Sequence, residues 1–274
     1  MIMKTILLPT DFTRAANKAI YVAADIAIKQ QARLVLFHAY RFMNTYDDNY
    51  GLPIEEVKRI STKKLNELKK RIVAKTSQPL EIVLCNKHGF VMDTIKEAIE
   101  EFSVDLIVMS SVGDSPLGAN YFGSIATGMI QKLQIPLLIL PPVYRQRKIE
   151  NAVMAIDLKK MVDATVFGKS IYFLRDLDTV VDILYVAKSE QEAESKEIKE
   201  AILNLREVLK NVPHTFKVEI ASNPTVAINN FVKSRKAQLL ITFPQVHGFI
   251  ESLFTKGNTQ RLVFDVEVPV LAVQ

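Results

Sequence analysis

The sequence is poor in cysteine, glycine and long apolar runs, and each shortage excludes a class of protein. Its single cysteine, Cys85, cannot form an internal disulfide, which excludes a disulfide scaffold and favours a reducing cytoplasm. No apolar run approaches the roughly 18 residues that cross a bilayer, and the N-terminus has no secretory signal pattern. We therefore expect a cytoplasmic protein without a membrane segment. Apolar residues at 49% and charged residues at 24% are typical of folded globular chains.

The few glycines are unevenly placed. There are nine in 274 residues, and four of them, Gly113, Gly118, Gly123 and Gly128, fall within sixteen positions. A chain that uses glycine sparingly therefore concentrates it in one segment, where backbone freedom or close approach to a ligand is needed.

The chain reads as a tandem duplication, with domains expected at residues 1–144 and 149–274. Short apolar runs alternate with helical patterns in both halves, which predicts parallel strands covered by helices on both faces. The fold class expected is two tandem doubly wound, Rossmann-like α/β domains, each with a five-stranded, mostly parallel sheet. Three pairs of segments carry the repeat. Leu7–Asp11 matches Val153–Asp157 at an offset of 146. Leu106–Met109 matches Leu239–Thr242, and Ile135–Leu138 matches Val268–Leu271, both at an offset of 133.

Individual elements follow from apolar periodicity and capping residues. The predicted strands of the first half are Lys4–Pro9, Leu34–Phe37, Leu80–Cys85, Leu106–Met109 and Leu137–Leu140. The predicted helices between them are Ala15–Ile28, Pro53 to about Lys75, Val91–Phe102 and Ser124–Leu133.

The net charge of +5 lies in the first half. Residues 1–147 carry 19 Lys and Arg against 14 Asp and Glu, whereas residues 148–274 carry 16 of each. Much of the surplus falls between Lys58 and Lys75, at the spacing of the solvated face of an amphipathic helix. Because no aromatic residues interleave these cations, the pattern favours a solvated face over a nucleic-acid patch.

The segment from Met109 to Ile125 leaves a buried strand and enters a helix. Glycine lets backbone N–H groups approach an anion, and the N-terminus of the following helix adds a favourable dipole, so the chemistry indicated is phosphate binding. A glycine turn that only packs the helix on the sheet is the alternative. Gly113 and Gly118 have Walker A spacing, but Ala119 and Asn120 stand where that motif requires Lys and Ser or Thr.

These residues resemble the universal stress protein family. The opening Ile6-Leu-Leu-Pro-Thr-Asp11-Phe-Thr13 is similar to the family's first strand, and Ser110-x2-Gly113-x9-Gly123-Ser124 is similar to its nucleotide loop. The resemblance covers nearly the whole chain as a tandem pair. It implies an adenine nucleotide alpha hydrolase-like fold and a cytoplasmic stress-response regulator that binds ATP or another adenine nucleotide, although some members bind none.

The resemblance also implies residue roles. Thr10 and Asp11 would lie against the adenine and ribose, and Phe37, His38 and Ala39 would line the base. From its place at the end of a strand, His38 is also read as a structural histidine whose hydrogen bonds are satisfied within the fold. Met109 and Ser110 would lie near the ribose. Gly113, Gly123, Ser124 and Ile125 would hold the phosphates.

Two departures weaken the phosphate site. Ser110 replaces the first glycine of the loop, and Asp114 stands where many ATP-binding members have arginine. No Lys or Arg occurs from 110 to 122, so a triphosphate would depend on backbone N–H groups, Ser124, the helix dipole and a metal ion such as Mg²⁺. We expect weaker ATP binding than in a full-motif member, with AMP or ADP competing.

The second copy lacks the loop, because Phe243, Val246 and Lys256 replace Ser110, Gly113 and Gly123. We therefore expect nucleotide binding in the N-terminal domain only. Asp157 is expected to cap a helix or turn.

No catalytic or metal-ligand pattern accompanies the loop: the four histidines are scattered, and no general base is near the serines. The leading hypothesis is a non-enzymatic nucleotide-binding regulator. A nucleotide-free interaction scaffold and a weak ATP-hydrolysing enzyme remain open. The terminal strands Leu137–Leu140 and Val268–Val273 would pair the copies as an internal pseudo-dimer, which leaves the chain monomeric or allows a homodimer.

Overall fold

The computed structural model describes residues 3–41, 52–76, 78–111, 124–141, 144, 149–159, 167–168, 173, 179–243 and 268–273. Contacts divide the chain into two compact units. The first contains the described residues up to 111 together with 124–135, and the second contains those from 136 onward. No helix within the described residues is both long and apolar enough to cross a membrane.

Within the described residues, each half of the chain contributes five strands, as predicted. Those of the first half are β1 (Thr5–Pro9), β2 (Arg33–Tyr40), β3 (Ile82–His88), β4 (Leu106–Ser110) and β5 (Leu137–Leu140). Those of the second half are β6 (Asn151–Ala155), β7 (Val180–Ala187), β8 (His214–Ile220), β9 (Leu239–Thr242) and β10 (Val270–Ala272).

Helices connect these strands. The described helices of the first half are α1 (Arg14–Gln30), α2 (Ile54–Lys75), α3 (Val91–Phe102) and α4 (Ser124–Lys132). Those of the second half are α5 (Glu190–Ala193), α6 (Lys196–Val208) and α7 (Pro224–Ser234).

The first unit is built on a parallel sheet in the order β3-β2-β1-β4. Strand β1 lies between β2 and β4, and its side chains from Thr5 to Leu8 are buried on both faces. This explains why the strand reads as a continuous apolar run rather than an alternating one. Small residues on α1, among them Ala19, Ala23 and Ala27, are fully buried and let the helix approach the sheet closely.

The second unit repeats this arrangement. Its strands follow the order β8-β7-β6-β9-β10 with parallel pairing throughout, and β5 pairs antiparallel with β10 through Leu138 and Leu271. The predicted α/β class with mostly parallel sheets is confirmed. The boundary between 144 and 149 stays a prediction, since β5 belongs by its contacts to the second unit.

Two turns show that the duplication extends to hydrogen-bond geometry. Helix α3 ends at Ser103 (φ 48°) with a bond from Val104 N–H to the Ile99 carbonyl at 3.1 Å. At an offset of 133, Lys236 (φ 50°) lies two residues beyond the end of α7, and Ala237 N–H donates to the Val232 carbonyl at 3.1 Å. Both are left-handed helix ends formed by residues other than glycine.

Candidate functional site

The carboxyl ends of β1, β2 and β4 lie at one edge of the first unit's sheet. The backbone N–H of Thr10 donates to the Phe37 carbonyl at 2.9 Å, which extends the β1–β2 pairing by one residue. Strand β4 ends at the same parallel edge with Ser110, which is 8% exposed. In open α/β sheets, ligands bind beyond this edge. The structure therefore brings Thr10, His38 and Ser110, which are far apart in sequence, to one place.

The turn after β1 is held by side chains that the sequence singled out. The Thr10 hydroxyl accepts from the Phe12 N–H at 3.0 Å, and Asp11 Oδ1 accepts from the N–H and the hydroxyl of Thr13 at 3.0 and 2.6 Å. Thr13 in turn caps α1 by accepting from Ala16 N–H at 3.2 Å. Asp11 is exposed, so its carboxylate is accessible to solvent at the carboxyl edge of the sheet while it fixes the turn.

The residues at the end of β2 differ in what they can contact. The Phe37 side chain is 1% exposed and packs in the core, so only its backbone is available at the edge. His38 and Ala39 are half-buried. The His38 Nδ1 lies 2.7 Å from the Thr10 carbonyl, and its ring packs on that of Phe12 with a centroid separation of 4.4 Å.

The pKa of His38 is lowered from its ordinary value, first because burial disfavours the charged ring. The Thr10 carbonyl and Asp11 oppose this lowering, and Lys64 adds to it. The imidazole is consequently biased toward its neutral form near pH 7.

Of the loop itself, the structure describes the two ends. Met109 is half-buried, and Ser110 and Ser111 are 8% and 7% exposed. Gly113 and Gly123 lie outside the described residues. Ser124 begins α4, as predicted, and Ile125 follows it half-buried in the first turn. That first turn contains no acidic residue, which leaves the favourable helix dipole uncancelled for an anion.

The corresponding edge of the second unit is occupied by a polar network that sequence reasoning missed. Tyr185 takes the place of His38, because Phe37 pairs with Pro9 in β1–β2 and Leu184 pairs with Ala155 in β6–β7. The Tyr185 hydroxyl donates to Glu192 Oε1 at 2.5 Å, and the Lys159 ammonium lies 2.9 Å from the same oxygen.

This network is tightly coupled. The hydrogen bond from Tyr185 and the contact with Lys159 lower the pKa of Glu192, and burial raises that of Tyr185. Asp157 Oδ1 accepts from Lys159 N–H at 3.1 Å, so this carboxylate holds a turn. Alignment of the second strand of each half, β2 with β7, could have found the network, because it places Tyr185 at the position equivalent to His38.

The end of β9 is filled by aromatic rings. Phe243, which replaces Ser110, is 3% exposed and stacks on Phe167 with a centroid separation of 5.8 Å. The hydroxyl of the preceding Thr242 is buried without a hydrogen-bond partner among the described residues. Phe243 thus adds aromatic volume where the first unit has a serine.

Other candidate groups are structural. Cys85 lies in β3 at 5% exposure, and burial raises the pKa of its thiol to about 11. Within the described ranges, no three His, Cys, Asp or Glu side chains form a group able to hold a metal ion.

Comparison with known proteins gives a consistent picture. The model of the universal stress protein family matches residues 3–141. A curated universal stress protein of Thermus aquaticus is 30% identical over 138 residues, which is 50% of this chain and 98% of that protein.

Two solved structures share the fold over nearly the whole chain. The universal stress protein of Archaeoglobus fulgidus has a TM-score of 0.71 at 16% identity and covers 98% of this chain and 96% of its own. A protein of unknown function from Pseudomonas aeruginosa PAO1 has a TM-score of 0.65 at 15% identity, covering 99% and 92%. At these identities the likeness shows the tandem α/β fold alone.

Proposed function

Because the chain belongs to the universal stress protein family, we propose that it is a cytoplasmic stress-response regulator that binds an adenine nucleotide at the carboxyl edge of its first sheet. The observation that carries the proposal is the convergence of Thr10, His38 and Ser110 at that edge, next to the loop that carries Gly113 and Gly123. ATP, ADP and AMP all offer the base and phosphate that such an edge accommodates.

The phosphates would lie at the N-terminus of α4. This helix has nine residues, and the N–H groups of its first turn and its dipole favour an anion. No basic residue lies between 110 and 122, so Ser124, backbone N–H groups and a cation such as Mg²⁺ would balance a triphosphate. A missing charge-assisted hydrogen bond costs about 1.5–3 kcal/mol, which makes ADP or AMP strong competitors of ATP.

We propose that the second half binds no nucleotide. The stacked rings of Phe243 and Phe167 and the network of Tyr185, Glu192 and Lys159 support this, since they occupy the strand ends where the first half has Ser110 and His38. Opening that edge would require separating buried rings and breaking an ion pair.

The role proposed is regulatory rather than catalytic. The turn after β1 uses the Asp11 carboxylate to hold Thr13, so this carboxylate is not arranged as a free general base. We further propose that antiparallel pairing of β5 with β10 forms an internal pseudo-dimer of the two copies.

Isothermal titration calorimetry measures the binding of ATP, ADP and AMP in the presence of Mg²⁺. It is carried out on variants of two matched carboxylates, one in each half of the chain. Asp11→Ala removes the residue at the proposed site, and Asp157→Ala removes its counterpart in the second half. We expect one nucleotide per chain, at least about tenfold weaker binding in Asp11→Ala, and a change below twofold in Asp157→Ala.

A variant of the loop, Gly123→Val, is expected to abolish nucleotide binding because the valine side chain would block the approach of the phosphate. No heat at millimolar nucleotide would contradict the proposal and favour the nucleotide-free scaffold, for which the absence of a cation between 110 and 122 is the supporting observation. Two nucleotides per chain would contradict binding in the N-terminal half only.

A further inference from the structure

Strand β8 forms the outer edge of the second unit's sheet, where it pairs only with β7 among the described strands. The hydrogen bonds at its two ends show which backbone groups face β7. The Pro213 carbonyl accepts from Val181 N–H at 2.9 Å. Ala221 N–H donates to the Ala187 carbonyl at 3.0 Å. Successive residues of a strand point their N–H and C=O groups to alternate edges, so the odd-numbered residues bond to β7. The even-numbered residues of β8 therefore point their backbone groups away from the sheet.

The corresponding edge of the first unit is closed by a lysine. Leu34 N–H donates to the Glu81 carbonyl at 2.8 Å, so by the same alternation the Ile82 carbonyl of β3 points away from β2. The Lys69 ammonium on α2 donates to this outward carbonyl at 2.9 Å. A lysine bonded to an outward carbonyl blocks pairing with another strand. No side chain of the described residues donates to a backbone carbonyl of β8.

The side chains of β8 include apolar and charged groups that the fold leaves exposed or unpaired. Ile220 is 51% exposed, and Phe216 is half-buried beneath the guanidinium of Arg206, which lies 5.7 Å from the ring centroid. Lys217 is exposed and Glu219 is half-buried, and neither forms an ion pair with a described residue. These side chains are therefore available to a strand that pairs with the outer edge of β8.

A second copy of β8 supplies a partner for each of them in one antiparallel register. With a two-fold axis at Val218, Phe216 lies opposite the partner's Ile220, and Lys217 lies opposite the partner's Glu219. The even-numbered residues then form the hydrogen-bonded pairs, because their N–H and C=O groups point across the interface. Lys217 and Glu219 form the non-hydrogen-bonded pair, in which side chains approach most closely. Moving the axis by two residues, to Phe216 or Ile220, separates the opposite charges.

We propose that the chain forms a two-fold symmetric homodimer in which β8 pairs antiparallel with β8 of a second copy. The observation that carries the proposal is the self-complementarity of this strand in charge and in apolar side chains. Such an interface is isologous and closes after two copies. The bond from Lys69 disfavours further growth at β3. The contact differs from the pairing of β5 with β10 inside one chain and does not depend on a bound nucleotide.

Sedimentation equilibrium of the full-length protein measures the dimer dissociation constant, and charge exchange across the axis tests the register. Glu219→Lys places lysines opposite one another, and Lys217→Glu does the same with glutamates. Each change turns two symmetry-related attractions into repulsions, so we expect the dissociation constant to rise about tenfold. The double variant restores opposite charges and should return the constant to within about threefold of the wild-type value. Glu100→Lys makes the same charge change at an exposed position of α3 and should alter the constant by less than about twofold.

Val218→Pro tests the backbone pairing. The Val218 N–H points away from β7, so proline at this position removes no hydrogen bond of the sheet. It removes both hydrogen bonds that the two copies of Val218 exchange at the axis. We expect this variant to remain monomeric at concentrations where the wild type is dimeric, with an unchanged far-ultraviolet circular dichroism spectrum.

The outcomes decide between pairing at β8 and other arrangements. A wild type that stays monomeric up to roughly millimolar concentration overturns the proposal and leaves the edge to a strand of another protein. A dimer that Val218→Pro and both single charge variants leave intact also overturns it, because that dimer forms through another surface. If Val218→Pro fails to fold, the charge variants decide. A dimer weakened in each single variant and restored in the double variant supports the register, and any other pattern overturns it.

Discussion

The carboxylate of Asp105, at the amino end of β4, should contribute more to the stability of the first unit than the uncharged amide of Gln238, its counterpart before β9, contributes to the second. Asp105 Oδ2 accepts from the backbone N–H groups of Lys4 and Thr5 at 2.8 and 3.0 Å. At an offset of 133, Gln238 Oε1 accepts from the N–H groups of Glu150 and Asn151 at 3.0 and 2.8 Å. The two halves therefore hold their first strands with the same pair of hydrogen bonds, one set charged and the other neutral.

The expected magnitudes follow from the type and exposure of these bonds. A hydrogen bond to a charged group contributes about 1.5–3 kcal/mol, but the bond to the exposed Lys4 amide is reduced by water, so we expect Asp105→Ala to cost about 2–3 kcal/mol. Two neutral bonds make Gln238→Ala cost about 1–2 kcal/mol. Asp105→Asn keeps an acceptor without the charge and should cost about 1 kcal/mol.

Native-state hydrogen exchange followed by mass spectrometry is the appropriate assay, because two units need not unfold in a single transition. Peptides covering β1 and β6 report the two halves separately. We expect Asp105→Ala to accelerate exchange in β1 and leave β6 unchanged, and Gln238→Ala to do the reverse. A loss below about 0.5 kcal/mol in Asp105→Ala, or equal losses for the Ala variants of Asp105 and Gln238, would refute the reasoning from charge.

Two further predictions concern buried side chains. Phe243→Ala should destabilise the second unit by about 3–5 kcal/mol, because Phe243 is 3% exposed and stacks on Phe167. Urea unfolding measures this loss, and a cost below about 1 kcal/mol would mean that the ring is not packed as described. Cys85, with a thiol pKa of about 11, should react with iodoacetamide at pH 8 at least about a hundredfold more slowly in the native protein than in urea, and similar rates would contradict its burial.

Much of the fold could be predicted because parallel strands and their helices leave strong local patterns. The helix predicted at Val91–Phe102 and the strand predicted at Leu137–Leu140 have the observed bounds. Strand β2 extends to Tyr40 and β3 to His88, beyond the predicted ends at Phe37 and Cys85. The predicted strands covered only the apolar runs, but the backbone ladder continues to pair Tyr40 with His88, since sheet hydrogen bonds do not depend on side-chain polarity.

The candidate site was only partly predictable. The resemblance named Thr10, Asp11 and His38, and the turn after β1 brings them together at one edge. It did not show that Phe37 is buried in the core or that Phe12 packs on His38. Whether a side chain at a strand end faces the core or the edge depends on what packs over it, which no local pattern records.

The sequence by itself determined the duplication, the order of strands and helices, and the asymmetry between a glycine loop in one half and Phe243 in the other. These features are written in apolar periodicity and in residue type, which act locally. Only the tertiary structure decided the state of His38, because the Thr10 carbonyl that fixes its tautomer and the Lys64 that lies over Phe12 come from separate elements. Parallel pairing and helix packing bring those groups within contact distance. At such distances, the carbonyl and the nearby charge affect both the tautomer and the pKa of the ring.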